Sequence, residues 1–245
     1  MLAEPTTSQP QPEKPQSWVS VLAMAFAVVL ASGFVGLIGG GLLLFGLEAW
    51  LADPAAVQAL LSMDGLSLCA HLFAVPAGIA LLRRSVPRGQ RGREYLGLKW
   101  PGLRQGLGWG LILLASSYGV DFLIWRLGIP FSERDDYQQI IRFPLLLPLT
   151  FLAIAVLGPI FEELLFRGFL VEGLRRSRLG TAGAILIPAA VWAAMHVDLP
   201  VRVAVLFLDG VLLALARLRT GSTYLTVLVH AIYNAVAVLL MANGA

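Results

Sequence analysis

The segment LGPIFEELLFRGFL, Leu157–Leu170, places two adjacent glutamates and one arginine within otherwise apolar sequence. An ionised side chain at the centre of a bilayer costs at least about 2.5 kcal/mol on insertion scales, so such residues are functional candidates and need partners. On a helix, Glu163 and Arg167 share one face in the favourable order for an ion pair, whereas Glu162 is turned about 100° away. The spacing predicts a structural Glu163–Arg167 pair and leaves Glu162 without that partner, free for water or substrate. The alternative is that all three form one solvated patch at the cytoplasmic end of a long helix.

The composition around this segment indicates an integral membrane protein. Of 245 residues, 58% are apolar and 13% are charged, compared with roughly half apolar and a quarter charged in a soluble domain. The lipid bilayer is therefore the expected partner. The net charge of +3 does not indicate a nucleic-acid partner, because the arginines lie in loops between apolar runs. Cys69 is the single cysteine, which excludes an intrachain disulfide and a CxxC metal site.

Seven apolar runs, with an uncertainty of one, are long enough to cross or nearly cross a bilayer. They cover residues 18–46, 65–82, 105–128, 143–170, 181–197, 200–218 and 222–242. The expected fold class is an all-α, polytopic transmembrane helical bundle of about seven spans, that is, six to eight. We divide the chain into a disordered, Pro- and Gln-rich tail at 1–16, N-terminal transmembrane helices at 17–142 and a transmembrane core at 143–245, to which any chemistry is expected to belong.

The distribution of basic residues predicts the orientation in the membrane. Short loops rich in lysine and arginine face the cytoplasm. The loops after the second, fourth and sixth runs carry most of these residues: Arg83, Arg84, Arg88, Arg91, Arg93, Lys99, Arg104, Arg175, Arg176, Arg178, Arg217 and Arg219. We therefore expect a multi-pass protein of the cell (plasma) membrane with a cytoplasmic N-terminus.

Two further polar motifs follow the glutamate segment. In VWAAMHVDLP, His196 follows Trp192 by one helical turn, and in TVLVHAIYNAV, His230 and Asn234 share a helix face. If runs four and five form a hairpin that turns near Arg178, Glu162 and His196 lie at similar depth, because each is about 16 or 17 residues from the turn. These positions are compatible with one shared cavity.

Three other polar residues in apolar runs have simpler interpretations. His71, Asp121 and Asp209 are expected to be interhelical hydrogen-bonding groups or residues near helix ends. Asp209 is the strongest additional candidate for a functional role, because it lies near mid-span between the two histidine-bearing segments.

These motifs together resemble the CPBP family of intramembrane proteases, which includes the CAAX prenyl protease and the Abi-type proteins linked to bacteriocin processing and self-immunity. The family pattern of EExxxR, aromatic-xxx-His and Hxxx(N/D/S) is matched by Glu162 to Arg167, Trp192 to His196 and His230 to Asn234. Trp192 replaces the commoner phenylalanine and keeps the aromatic character. The resemblance covers about residues 143 to 240.

The resemblance implies an intramembrane endopeptidase, and it implies a role for each matched residue. Glu162 and His196 would activate water for attack on the scissile carbonyl, and His230 and Asn234 would stabilise the oxyanion. Arg167 and Glu163 would hold the site, with Trp192 in support. The chemistry of these residue types agrees, because a buried carboxylate is suited to general-base work and preorganised donors stabilise an oxyanion.

Both zinc-dependent and metal-free activation of water are chemically open to these residue types. Glutamate and histidine are suitable zinc ligands, and Glu162, His196 and His230 would be the ligands if zinc were used. The HExxH motif of zincins is absent from the sequence. The family is commonly called metalloprotease, yet its mechanism resembles metal-free, glutamate-based water activation, which we favour here.

The sequence suggests three possible functions. The first is a protease acting on a prenylated, CAAX-type or other membrane-associated peptide or lipidated protein. The second is a non-catalytic scaffold or bacteriocin self-immunity protein of the same fold. The third, a proton-coupled transporter, is disfavoured because neither an inverted repeat nor paired broken helices can be recognised in the sequence.

Overall fold

The protein was analysed as a computed structural model, which describes residues 16–48, 51, 54–129, 141, 143–144, 146–196 and 200–243. The predicted disordered tail lies outside these residues except for Gln16. That residue is anchored, because its backbone N–H donates to the Arg176 carbonyl at 3.2 Å and its side chain accepts from Tyr95.

The described residues are helical wherever an apolar run was predicted to cross the membrane. The helices are α1 (Trp18–Glu48), α2 (Pro54–Leu60), α3 (Met63–Ser85), α4 (Gly92–Tyr95), α5 (Leu103–Arg126), α6 (Leu147–Arg175), α7 (Gly180–Ala194), α8 (Pro200–Thr220) and α9 (Thr223–Ala242). The described part contains no β-strand, only an isolated bridge between Gln16 and Ser177. The predicted all-α, polytopic bundle is confirmed.

The number of crossings is less well defined than the bundle. By length and composition, α1, α3, α5, α6 and α9 can each cross a membrane. The predicted fifth run corresponds to α7, which has only 15 residues, and the sixth to α8, which carries Arg202, Asp209, Arg217 and Arg219. Among the described residues, five helices therefore qualify by themselves, and seven crossings remains a prediction.

Helix α6, which carries the glutamate pair, is not a uniform α-helix. It contains two π-helical segments, Phe151–Leu157 and Leu164–Leu170, on either side of the α-helical stretch Gly158–Glu163. π-Helical turns are rare and occur frequently at functional sites. They set Glu162 and Glu163 at the end of a short α-helical stretch in the middle of the membrane-spanning segment.

Helices α1 and α3 pack closely beside α6. A Cβ atom at Gly36 or Gly40 would approach backbone atoms of Ala70 within 3 Å, so these glycines allow the two helix backbones to come together. On α8, Gly210 allows a similar approach to Ala189 of α7. Small residues thus bring the helices around α6 close enough to enclose its polar side chains.

The segment between α3 and α5 is fixed to the turn between α8 and α9. The hydroxyl of Thr223 donates to the Leu96 carbonyl at 2.6 Å and accepts from Nε of the buried Arg217 at 3.0 Å. Ser222 donates to the Lys99 carbonyl at 2.6 Å. These bonds fix the start of α9, the helix that carries His230 and Asn234.

Candidate active site

Glu163 is the centre of the polar cluster inside the bundle. Its Oε1 atom accepts a hydrogen bond from Nη1 of Arg167 at 2.8 Å and lies 3.1 Å from Nδ1 of His230. Glu163 is fully buried and Arg167 is 1% exposed. The ion pair predicted from the spacing is present, and the alternative of one solvated patch is wrong.

Glu162 has a partner that the sequence could not reveal. Its Oε2 atom accepts a hydrogen bond of 2.6 Å from the indole N–H of Trp192 on α7. The contact joins α6 to α7 across the hairpin and agrees with the depth estimated from the turn. Glu162 itself is half-buried, whereas Glu163 beside it is enclosed. Of the two carboxylates, Glu162 is therefore the one accessible to a reactant.

The ring of Trp192 also contacts three other polar side chains of the site. Its ring lies edge-on to His196 and to His230, at centroid distances of 5.3 and 5.6 Å. The guanidinium of Arg167 stacks over it at 4.6 Å. A cation over an indole face is attracted by the ring quadrupole, most strongly where water is excluded. Trp192 therefore orders both histidines and the arginine as well as Glu162.

The hydrogen bonds of the two histidines define what each ring can do. Nδ1 of His196 lies 2.8 Å from the Trp192 carbonyl, which can only accept, so Nδ1 carries the hydrogen and a neutral ring offers Nε2 as a base. Nδ1 of His230 faces Oε1 of the Glu163 carboxylate, which can only accept, so this Nδ1 also carries a hydrogen. The first ring is suited to accept a proton, and the second is fixed beside Glu163.

Asn234 lies one turn beyond His230 on α9. Its amide donates to the Ile154 carbonyl in the first π-helical segment of α6 at 3.0 Å. A side-chain amide has two N–H donors, so this bond uses only one of them. The bond ties α9 to α6 and orients the amide within the cluster.

Six of the seven residues predicted from the motifs therefore meet in one connected cluster, and Asn234, one turn beyond His230, is bonded to the Ile154 carbonyl of α6. The geometry adds two contacts that the motifs did not indicate. Trp192 donates to Glu162, and His230 contacts Glu163. The catalytic roles themselves remain predictions.

The described residues do not fit a zinc site. No group of three or more His, Cys, Asp or Glu side chains within them is arranged to hold a metal ion. Two of the three residues that would bind zinc if it were used already have other partners: the Glu162 carboxylate accepts a hydrogen bond from the Trp192 indole, and Nδ1 of His230 faces Glu163. No step of the chemistry below is assigned to a metal.

An apolar cavity of about 440 Å³ lies between α3, α6 and α9. Its wall includes Ile79 of α3, Ile160 and Leu164 of α6, and Leu228 and Ala231 of α9, with Arg83, Trp100 and Tyr224 also lining it. Ile160 and Leu164 flank the glutamate pair in sequence, and Ala231 follows His230. The cavity therefore lies against the same two helix segments that carry the polar groups.

Sequence reasoning missed the residues that pair with Asp121 and Asp209. Tyr233 donates to Asp121 across α9 and α5, and Ser117 donates to Oδ1 of Asp209 at 3.1 Å across α5 and α8. The interhelical hydrogen bonding predicted for both aspartates is present. Tyr233 lies between His230 and Asn234 on the same helix, and this place within the third motif could have indicated that it lies near the site.

A polytopic bundle with five helices, among the described residues, that are long and apolar enough to cross a membrane defines the class of integral membrane proteins. Residues 144–236 match the family model described as "Type II CAAX prenyl endopeptidase Rce1-like". The matched segment contains all three motifs, and the resemblance to CAAX-type proteases is thereby confirmed. Searches of curated proteins and of solved structures each found no match.

Proposed function

We propose that this protein is an intramembrane endopeptidase that hydrolyses a peptide bond of a prenylated, CAAX-type or other membrane-associated substrate. The observation that carries the proposal is the contact of Trp192 with Glu162, Arg167, His196 and His230, which gathers a base, a cation and two imidazoles at one point in the bundle. The family match to an endopeptidase supports the same reaction class.

In the proposed mechanism, Glu162 takes one proton from water as the water oxygen attacks the scissile carbonyl. Nε2 of His196 takes the second proton of that water and gives it to the amide nitrogen as the C–N bond breaks. Glu162 then releases its proton to solvent, and the products are a carboxylate and an amine. His230 and the Asn234 amide donate to the developing oxyanion, a contribution that can reach about 2.7 to 4 kcal/mol per donor in a water-poor site. Glu163 and Arg167 hold the imidazole and indole rings in place.

The apolar cavity supports a lipidated substrate. A volume of about 440 Å³ lies within the range of small-molecule sites, and its lining is mainly aliphatic and aromatic. We assign it to the lipid chain or apolar residues next to the cleaved bond. The proposal also places the protein in the plasma membrane with a cytoplasmic N-terminus, supported by the arginine-rich loops.

The test is cleavage of a fluorogenic prenylated CAAX peptide, beside a membrane-peptide library, by the purified full chain. Wild type is compared with Glu162→Gln and with the matched control Glu94→Gln, whose carboxylate is exposed and pairs with Arg91. We expect Glu162→Gln to lose at least 100-fold in turnover, Glu94→Gln to retain it, and a chelator to leave it unchanged.

Two results would contradict the proposal. Loss of activity on chelation would overturn the metal-free mechanism. Absence of turnover on every substrate, from wild-type protein shown to be folded, would favour a non-catalytic scaffold or self-immunity protein of the same fold.

A further inference from the structure

A second polar cluster lies beside the active site, where α5 packs against α8 and α9. It consists of Ser117, Tyr118 and Asp121 of α5, Asp209 of α8 and Tyr233 of α9. Helix α5 lies outside the segment that matches the protease family. The cluster is therefore not part of the motifs from which the catalytic site was predicted, and we name it the α5 cluster.

The α5 cluster is joined to the active site through α8 and α9. Tyr233 lies three residues after His230, a rise of about 4.5 Å along the helix, and directly precedes Asn234. Asp209 is close enough to Arg167 and His230 for electrostatic interaction with both. Only about one helical turn separates the two groups of polar side chains.

The side chains of the α5 cluster are not saturated by protein contacts. The Tyr118 hydroxyl and Oδ1 of Asp121 are buried atoms without a hydrogen-bond partner among the described residues. Nη2 of Arg167, in the active site, is in the same condition. Buried polar atoms are normally satisfied by protein groups or by ordered water, so polar atoms of this kind in neighbouring clusters indicate hydrated space.

The partial exposure of the aspartates leads to the same conclusion. Ser117, Asp121 and Asp209 are each only partly buried, although they lie well inside their helices. A carboxylate in a membrane-spanning helix faces the bundle interior or a water-filled cavity, because exposure to lipid is too costly. The space that these side chains face is therefore expected to contain water.

We infer that the α5 cluster is a hydrated passage that supplies water to the active site between α5, α8 and α9. The inference rests on the proposed function for the fate of that water, which would be the nucleophile in peptide hydrolysis. The hydration itself does not depend on catalysis. Ser117 and Asp209 line the passage, and Tyr233 marks its end next to His230 and Asn234.

Thiol accessibility tests the hydration directly. In a Cys69→Ala background, which removes the single native cysteine, Ser117→Cys is compared with Ala115→Cys in lipid nanodiscs. Ala115 is exposed on the other side of α5, only about 3 Å away along the helix axis. A charged, water-soluble methanethiosulfonate reagent requires water at the thiol, since the thiolate is the reactive form.

We expect Ser117→Cys to react at least ten times faster than Ala115→Cys. Equal rates, or no reaction at Ser117→Cys in a folded variant, would overturn the inference and identify a dry hydrogen-bond network between helices. Should Ser117→Cys fail to fold, Tyr118→Cys is the second reporter, because its native hydroxyl lies in the same space.

Turnover then tests the supply of water. Modification of Ser117→Cys by the reagent is expected to lower the rate of peptide cleavage at least fivefold, with the untreated variant as the control. Rapid labelling with unchanged cleavage would overturn the water-supply role. If wild type cleaves no peptide, the labelling rates still decide hydration, so failure of the protease proposal is distinguishable from failure of this one.

Discussion

Substituting each of the two adjacent glutamates in turn distinguishes an effect on folding stability from an effect on catalysis. Glu162→Gln and Glu163→Gln make the same chemical change one residue apart on α6. Glu163 is fully buried and its Oε1 atom serves both Arg167 and His230, whereas Glu162 is half-buried and bonded to Trp192. We expect Glu163→Gln to destabilise the fold and Glu162→Gln to leave it nearly intact while abolishing turnover.

The magnitude follows from the charge left behind. Removing one partner of a buried ion pair typically costs about 3 to 5 kcal/mol, because the remaining charge is desolvated without compensation. At about 1.4 kcal/mol per factor of ten, the ratio of unfolded to folded protein should rise roughly 100- to 4,000-fold. Replacing both charges, as in Glu163→Gln with Arg167→Met, should recover at least half of the loss.

The measurement is reversible unfolding in mixed detergent micelles, followed by tryptophan fluorescence, for wild type, the two single variants and the double variant. If Glu163→Gln is no less stable than Glu162→Gln, the buried Glu163–Arg167 pair does not stabilise the fold as expected. If the double variant is less stable than Glu163→Gln alone, the cost arises from lost packing and not from an unpaired charge.

Three further predictions concern contacts of other residues. Trp192→Phe keeps the ring against His230 but removes the indole donor to Glu162. It should lower kcat roughly tenfold, because Glu162 loses the donor that orients it, and lower the unfolding free energy by about 1.5 kcal/mol, as expected for the loss of a hydrogen bond to a charged group; an unchanged kcat would contradict this. Thr223→Val removes the hydroxyl that joins the buried Arg217 to the Leu96 carbonyl. A loss of about 1 to 3 kcal/mol in unfolding free energy is expected, which thermal unfolding would measure, and an unaltered Tm would count against the role of this contact. Ile79→Trp narrows the apolar cavity from α3, a helix that carries none of the predicted site residues. It should raise KM for a prenylated peptide at least fivefold and alter KM for an unprenylated one much less; equal changes would show that the cavity does not take the lipid.

Sequence patterns predicted the helices better than the contacts between them. Length and hydropathy were sufficient to place the seven apolar runs on α1, α3 and α5–α9, and the four-residue spacing correctly paired Glu163 with Arg167. The same spacing does not reveal that Arg167 lies in a π-helical segment. A helical period indicates which residues share a face, but it does not identify the hydrogen-bonding pattern of the backbone.

The partners that come from another helix could not be derived from spacing. The bond of Trp192 to Glu162 and the contact of His230 with Glu163 span 30 and 67 residues of sequence. They depend on the rotation of α7 and α9 about their own axes, which the motifs leave undefined. The charges on α8 were also insufficient to decide whether that helix crosses the membrane, because partners such as Ser117 lie far away in sequence.

The sharing of the Glu163 carboxylate by two helices has a consequence for biosynthesis. Arg167 lies four residues from Glu163, so their pair can form as soon as α6 has been made, but His230 and Asn234 arrive only with α9. During synthesis from the N-terminus, the helices through α8 can be inserted while half of the proposed oxyanion and base machinery is still missing. A nascent chain would therefore remain proteolytically silent, and ribosomes that stop before α9 would release an inert product into the membrane.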